Sequence, residues 1–344
     1  MPRDHIVLLT LFICCLLAVE SLIIPSIPKL LVGYVGQYQE TSTFLFVGDV
    51  MLARHVETLI EQHGPEYPFV GLSALRHRYD AVIGNFEAPI PRVHKQTEPY
   101  QLDFSVASTS ITSLDRYFDH VSLANNHTYD HGQAGLDETR EKLSQIGVTP
   151  FGDPLTEDPE RVTFLAHGDE QIAVVGINAT NPISTTTIAD LFVDLRDHSS
   201  MQIAYVHWGI EYDLMHSPEQ SDLARLLIDH GADAVIGHHP HVIQDIGVYN
   251  GAPIFYSLGN FIFDQYFSDD VQVGLGVELA LTDNDVTYRL IPFTSQTHNA
   301  SPRLMAYEEK MRLLADIKAR SAPELALYLS EDGVLSITQS LASL

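Results

Sequence analysis

Ala234-Val235-Ile236-Gly237-His238-His239-Pro240-His241 sets a short apolar run of strand-forming residues directly before three imidazoles in four positions. Neutral imidazole is a common protein ligand for divalent transition metals, and histidines two residues apart on a turn can address adjacent ions. With 17 histidines in the chain, a histidine beside a strand also reads as a hydrogen-bonded surface residue. A Gly-His-His-Pro-His loop after a buried-type strand reads instead as a ligand loop, with His239 and His241 as ligands and His238 as their neighbour.

The same device recurs upstream. Phe44-Leu45-Phe46-Val47 leads into Gly48-Asp49, Ala81-Val82-Ile83 into Gly84-Asn85-Phe86-Glu87, His120-Val121-Ser122-Leu123 into Ala124-Asn125-Asn126-His127, and Ile203-Ala204-Tyr205-Val206 into His207-Trp208-Gly209. In open α/β sheets ligands bind beyond the carboxyl ends of strands, so these five loops are expected to converge on one pocket. Helical patterns fall at Ala53–Gln62, Gly132–Ile146 and Glu219–His230, the last two closing near Gly147 and Gly231. Val162–Ala166 with Gln171–Ile177, the strands flanking Asn250-Gly251, and Val271–Leu281 with Val286–Ile291 read as antiparallel pairs. The fold class that follows is α/β, with mixed sheets and helices outside.

The 344 residues include 45 Asp+Glu against 19 Lys+Arg, a formal charge of −26. Such a chain repels polyanions at long range, which excludes sequence-independent nucleic-acid binding. An anionic substrate needs a local positive centre, and a bound divalent metal supplies one without a basic patch. The two cysteines, Cys14 and Cys15, both sit in the apolar N-terminal run, so the folded part has neither a disulfide framework nor a thiolate site.

That run, Ile6–Val19, resumes after Glu20 as Leu22-Ile23-Ile24. It reads as an uncleaved signal anchor or as a cleavable signal peptide, and both place the remainder outside the cytoplasm, at the cell surface, in the periplasm or, after cleavage, secreted. The organisation is then a membrane segment at 1–30, a linker at 31–42, a catalytic-type domain at 43–300 and a helical extension at 301–344.

The candidate metal ligands are Asp49, Glu87, Asn126, His127, His207, His239 and His241, oxygen and imidazole donors that suit one or two ions of Mn, Zn, Fe or Mg. Asp49 also reads as the cap of the helix that follows it, and Asn125-Asn126-His127, taken alone, as a turn. Asp130 and His131 follow closely; Asp130 can orient His127, and His127 or His131 can serve as general acid. Arg54, Asn85, Trp208, Glu211 and Asn260 are candidates to touch substrate, although Arg54 is also placed to pair with Glu87, and Trp208, the only tryptophan, to sit in the core. Paired metal ions activate water and stabilise charge developing at a hydrolysed centre, so the expected chemistry is hydrolysis.

Gly48-Asp49-Val50-Met51 with Arg54, Gly84-Asn85-Phe86-Glu87, Ala124-Asn125-Asn126-His127 with Asp130 and Gly132, His207-Trp208-Gly209 with Glu211-Tyr212, Gly237–His241 with Gln244, and Tyr256-Ser257-Leu258-Gly259-Asn260-Phe261 together resemble the bacterial CapA capsule-synthesis proteins, associated with poly-γ-glutamate. The resemblance covers roughly Phe44 to Gln265. It implies a calcineurin-like metallophosphoesterase sandwich, two facing mixed sheets flanked by helices, usually with an N-terminal membrane anchor. The partners it implies are the membrane, subunits for polymer synthesis or export, and an anionic polymer or phosphoester as substrate. The Asp-x-His pattern of that superfamily falls on Asp49 and Met51, so a thioether, a poor ligand for hard metals, replaces one imidazole. The function implied is capsular polymer synthesis or export with a hydrolase-like site. A non-catalytic assembly or polymer-binding subunit and a stand-alone phosphoesterase are the alternatives.

Overall fold

Strand β1, Ser42–Val50, shows how the layers arise. Successive strand residues face opposite sides, and here both sides are apolar: Phe44 and Phe46 enter one core, Leu45 and Val47 another. A strand apolar on both faces has to be covered on both. The computed structural model, which describes residues 41–73, 75–153, 161–282, 285–297 and 299–336, supplies both covers.

One sheet takes β1 together with β2 (Ala81–Phe86), β3 (His120–Ser122) and β4 (Thr149–Phe151), all parallel. The second sheet has a parallel core of β6 (Glu170–Asn178), β7 (Met201–His207), β8 (Ala234–His238) and β10 (Ala252–Phe255), edged by antiparallel β5 (Val162–His167) and β9 (Ile246–Tyr249). The chain then returns to the first sheet. The short strand β11 (Asn260–Ile262) runs parallel to the end of β1, and β12 (Val273–Leu281) pairs antiparallel with β1 and with β13 (Val286–Thr294). Two further short strands, β14 (Arg303–Leu304) and β15 (Val334–Leu335), pair with β13.

The sheets face each other across a core of Phe44, Phe46, Ile83, Ile203, Ile236 and Tyr288 with their neighbours. Outside the first sheet, α1 (Arg54–His63) and α2 (Gly132–Gln145) bury Val56, Ile60, Leu136 and Leu143 against Leu45, Val47, Val82 and Val121. Outside the second, α3 (Thr185–Leu195) and α4 (Pro218–His230) bury Ile188, Phe192, Ala224 and Leu227 against Val175, Ala204, Val206 and Val235. The result is the α/β architecture expected: two mixed sheets with helices outside.

Several details differ from the sequence expectation. α3 has no counterpart in it; its first turn is Thr185-Thr186-Thr187, β-branched residues of low helix propensity, and Ser184 starts the helix by accepting the Thr187 amide. The segment 301–344 is not simply helical. It contributes β14, helix α5 (Tyr307–Arg320) and β15, and Leu314, Ile317 and Leu335 enter the inter-sheet core. Residues 1–40, which carry the apolar stretch and most of the linker, lie outside the described residues; among those described, no helix is long and apolar enough to cross a membrane.

Candidate metal centre

The carboxyl ends of β1, β2 and β3 come from one sheet and those of β7 and β8 from the other, so the five loops meet where the two sheets abut. Tight backbone contacts bring them there. Gly48, one residue before Asp49, lies against the turn preceding β11: a Cβ at this position would fall 1.9 Å from the Gly259 carbonyl oxygen. At Gly237 a Cβ would fall 2.1 Å from the Tyr256 oxygen and 2.4 Å from Trp208 Nε1. Glycine stands at both positions because another backbone occupies the side-chain space.

Asp49 is fully buried at the centre. Its Oδ1 accepts from Asn85 Nδ2 (2.8 Å), and its Oδ2 from the His239 amide (3.2 Å). His241 Nδ1 lies 3.3 Å from Oδ2 and His238 Nδ1 3.6 Å from Oδ1. Burial works to raise the Asp49 carboxyl, but the hydrogen bond and charge of His241, the charge of His238 and the Asn85 amide outweigh it and hold the group at about 2. Glu87 behaves oppositely. Burial, then the negative charge of Asp49, push its carboxyl well above the usual range.

The imidazoles close the centre. His207 Nδ1 lies 2.8 Å from His238 Nδ1, and His207 Nε2 lies 2.7 Å from Asn126 Oδ1. Burial, with the neighbouring histidines adding to it, drives His207 well below its usual value and takes His238 and His239 to about 4. Neutral imidazoles keep a lone pair free, the form a metal requires. His239 and His241 sit at φ +102° and +59°, as do nearby Arg54 (+52°) and Tyr212 (+69°). A left-handed backbone at non-glycine residues costs free energy, and the surrounding packing holds it in place here.

Whether this donor set fits a cation can be read from its unpaired atoms. Both Glu87 oxygens, His238 Nε2 and His239 Nδ1 are buried with no hydrogen-bond partner among the described residues. Burial without a donor disfavours the ionised form of Glu87, and a bound cation would favour that form and remove the cost. Four overlapping trios place ligand atoms within 4.8 Å of one another: Asp49–His207–His238, Glu87–His207–His239, Asp49–Glu87–His241 and Glu211–His239–His241. Oxygen and imidazole donors without thiolate suit a hard or borderline divalent ion.

Of the residues singled out as ligands, Asp49, Glu87, His207, His239 and His241 are brought together. Asn126 is exposed and reaches the centre through His207. His127 stands at its edge, Nε2 3.9 Å from Glu87 Oε1, with Nδ1 3.0 Å from Asp130 Oδ2 and its ring stacked on Phe104. His131 is exposed at the start of α2 and belongs to none of the ligand trios.

The substrate candidates divide. Glu211 comes within ligand distance of His239 and His241. Asn260 Oδ1 lies 2.9 Å from His241 Nδ1 and steadies that ring. Arg54 is paired with Asp264, not with Glu87, its Nε 3.1 Å from Oδ2, and its guanidinium lies over Phe104. Asn85 is buried beside Asp49, to whose Oδ1 its amide donates. Trp208 is buried against Tyr256, its Nε1 donating to the Tyr256 carbonyl (2.8 Å), and it also lines a cavity beside the centre. Met51 also folds inward, its sulfur accepting the Ala53 amide at 3.0 Å.

Two residues play larger parts than the sequence reading gave them. His238, read as a neighbour, is buried between His207 and Asp49. Asn125, passed over in favour of Asn126, donates to Asn85 Oδ1 and the Phe86 carbonyl and accepts from the amides of His127 and Thr128 and from the Thr128 hydroxyl. The two asparagines are neighbours in the loop after β3, and Asn-Asn-His carries no sign of which one turns inward.

Residues 43–265 match the family model described as bacterial capsule synthesis protein PGA_cap. The chain is 32% identical over 239 residues to the PGA biosynthesis protein CapA of Bacillus subtilis (strain 168), a match covering 64% of this chain and 63% of that protein, just under two thirds of its length. It is 29% identical over 322 residues to the capsule biosynthesis protein CapA of Bacillus anthracis, covering 87% of this chain and 78% of that one. Among solved structures, one described as a novel phosphatase from Mycoplasma pneumoniae aligns with TM-score 0.46 and 13% identity over 71% of this chain and 89% of that one.

Proposed function

The chain belongs to the bacterial capsule synthesis family PGA_cap, and from that premise we propose that it takes part in capsular polymer synthesis of the poly-γ-glutamate type through a metal-dependent hydrolytic site. The observation that carries the metal is Glu87, a fully buried carboxyl whose oxygens meet no hydrogen-bond donor, grouped with the imidazoles of His207, His239 and His241. The names of the Bacillus relatives support the biological setting. The apolar stretch from Ile6 to Ile24 supports an anchor that holds the domain on the outer side of the membrane.

In this reading Asp49, Glu87, His207, His239 and His241, with His238 and Glu211 completing the trios, hold one or two divalent ions. A bound divalent cation supplies Lewis-acid polarisation of the scissile bond and lowers the cost of deprotonating water. The chain's own residues do the rest. Asn85 and Asn260 fix the Asp49 carboxylate and the His241 ring, and Asn126 fixes His207. His127, oriented by Asp130 and by Phe104, gives a proton to the leaving oxygen or nitrogen as the bond to it breaks, while water supplies the group that replaces it. The bond is a phosphoester or a γ-glutamyl amide.

The test is to strip the purified full-length chain with chelator, restore manganese or zinc, and assay aryl phosphate and γ-glutamyl oligomers in parallel. Turnover of either that returns with metal and is lost in His127→Ala, with the fold intact by circular dichroism, is expected. Full metal occupancy with no turnover of either would turn the assignment towards a polymer-binding assembly subunit, the reading that Met51 in place of a ligating histidine favours.

A further inference from the structure

Beside the metal centre, between the loop after β6 and the start of α4, lies a cavity of about 820 Å³ that has His239 in its wall. This volume suits a small organic ligand. Its apolar lining includes Ile183, Ile210, Leu223 and Leu226, and Ile210 is 57% exposed at the mouth. Among the described residues its charged lining is Glu219 and Asp222, with no lysine or arginine. Arg54, which follows β1 near the centre, is already paired with Asp264.

We infer that this cavity holds the uncharged, apolar body of a phosphoester whose phosphate is bound at the metal centre, so that the site selects an amphipathic phosphoester over a polycarboxylate chain. The inference rests on the metal-dependent reading above and narrows its substrate. His239 belongs both to the cavity wall and to two of the ligand trios, so a molecule seated in the cavity adjoins residues that would hold the ions. A γ-glutamyl polymer would bring a carboxylate with every repeat against Glu219 and Asp222, with no cation in the wall to meet it, and like charges brought together this way oppose binding. An aryl or alkyl group would instead cover Ile210 and Leu223 and withdraw apolar surface from water.

The experiment is calorimetric titration of the manganese-loaded full-length chain with phenylphosphonate, methylphosphonate and a γ-glutamyl oligomer. Phenylphosphonate is expected to bind at least about tenfold more tightly than methylphosphonate, the increment for burying one ring, and more tightly than the oligomer. Ile210→Glu and, separately, Leu223→Lys are expected to erase the phenyl-over-methyl ratio. Ile210 is the safer substitution because it is exposed, and a separate manganese titration of each chelator-stripped protein, before loading, reports an intact centre. Manganese bound with equal affinities for the two phosphonates, with neither phosphonate bound, or with the oligomer preferred would overturn the inference and leave the metal centre standing. No manganese bound would overturn the centre itself and the inference with it.

Discussion

Asn125 and Asn126 sit side by side yet do different work. Asn125 is buried, and its amide ties β2 to the loop after β3 through Asn85, Phe86, His127 and Thr128. Asn125→Ala leaves several of those groups unpaired and is expected to cost about 3 kcal/mol in urea denaturation. Asn126→Ala, at an exposed residue, is expected to change stability by less than about 0.5 kcal/mol while weakening metal binding through loss of the His207 contact. Equal destabilisation by the two variants would contradict this division. Legibility at the residue scale has the same limit. Asp49 and His239 could be named as candidate ligands because each follows an apolar run that delivers it to the end of a strand. Asn125, His238 and the pairing of Arg54 with Asp264 depend on which side of a turn faces inward, and tertiary packing settles that: Asn125 meets β2, Arg54 meets the segment after β11, and His238 meets Asp49 across the two sheets.

At the scale of elements, the strands are held at their ends as much as along their faces. The close approach of β1 to the turn before β11 leaves no room for a methyl group at Gly48. Gly48→Ala is therefore expected to lower stability by about 3 kcal/mol or more and to weaken metal binding with it, because Asp49 moves when β1 does; a variant with wild-type denaturation midpoint and metal affinity would refute the contact. The turn from α4 into β8 carries a titrating group. Burial raises the Asp233 carboxyl to about 6 against the pull of the Gln202 amide and the Arg196 charge. The folded chain then holds a proton that the unfolded chain has released, so this contribution is complete below about pH 4 and is lost as pH rises to about 6. Asp233→Asn, which keeps an acceptor for the Gln202 amide, is expected to be the more stable protein at pH 7 by on the order of 2 kcal/mol and to lose that advantage near pH 4. Much of this scale was legible, since the apolar runs of β1, β2, β7 and β8 and the Asn250-Gly251 hairpin lie where their patterns put them. The Thr-rich start of α3 concealed a helix, because tertiary burial of Ile188 and Phe192 outweighs weak propensity.

For the whole molecule, the central fact is that the centre belongs to neither sheet alone. Asp49 and Glu87 come from the first sheet, His207 and His238 from the second, and five convergent loops could be foreseen without foreseeing that they arrive from opposite sides. A cation bound there stabilises the seam between the sheets. At a metal concentration a hundredfold above Kd, linkage adds about 2.7 kcal/mol, so the thermal midpoint is expected to rise with added manganese and fall on chelation. The acidic balance of −26 acts in the same direction, drawing cations while it repels polyanions. Calorimetric titration of chelator-stripped full-length protein with manganese and zinc, wild type beside Glu87→Gln, tests the account most directly. At least one equivalent of one of these metals should bind the wild type, with affinity at least about tenfold weaker in the variant; no binding, or binding indifferent to Glu87, would contradict the metal centre.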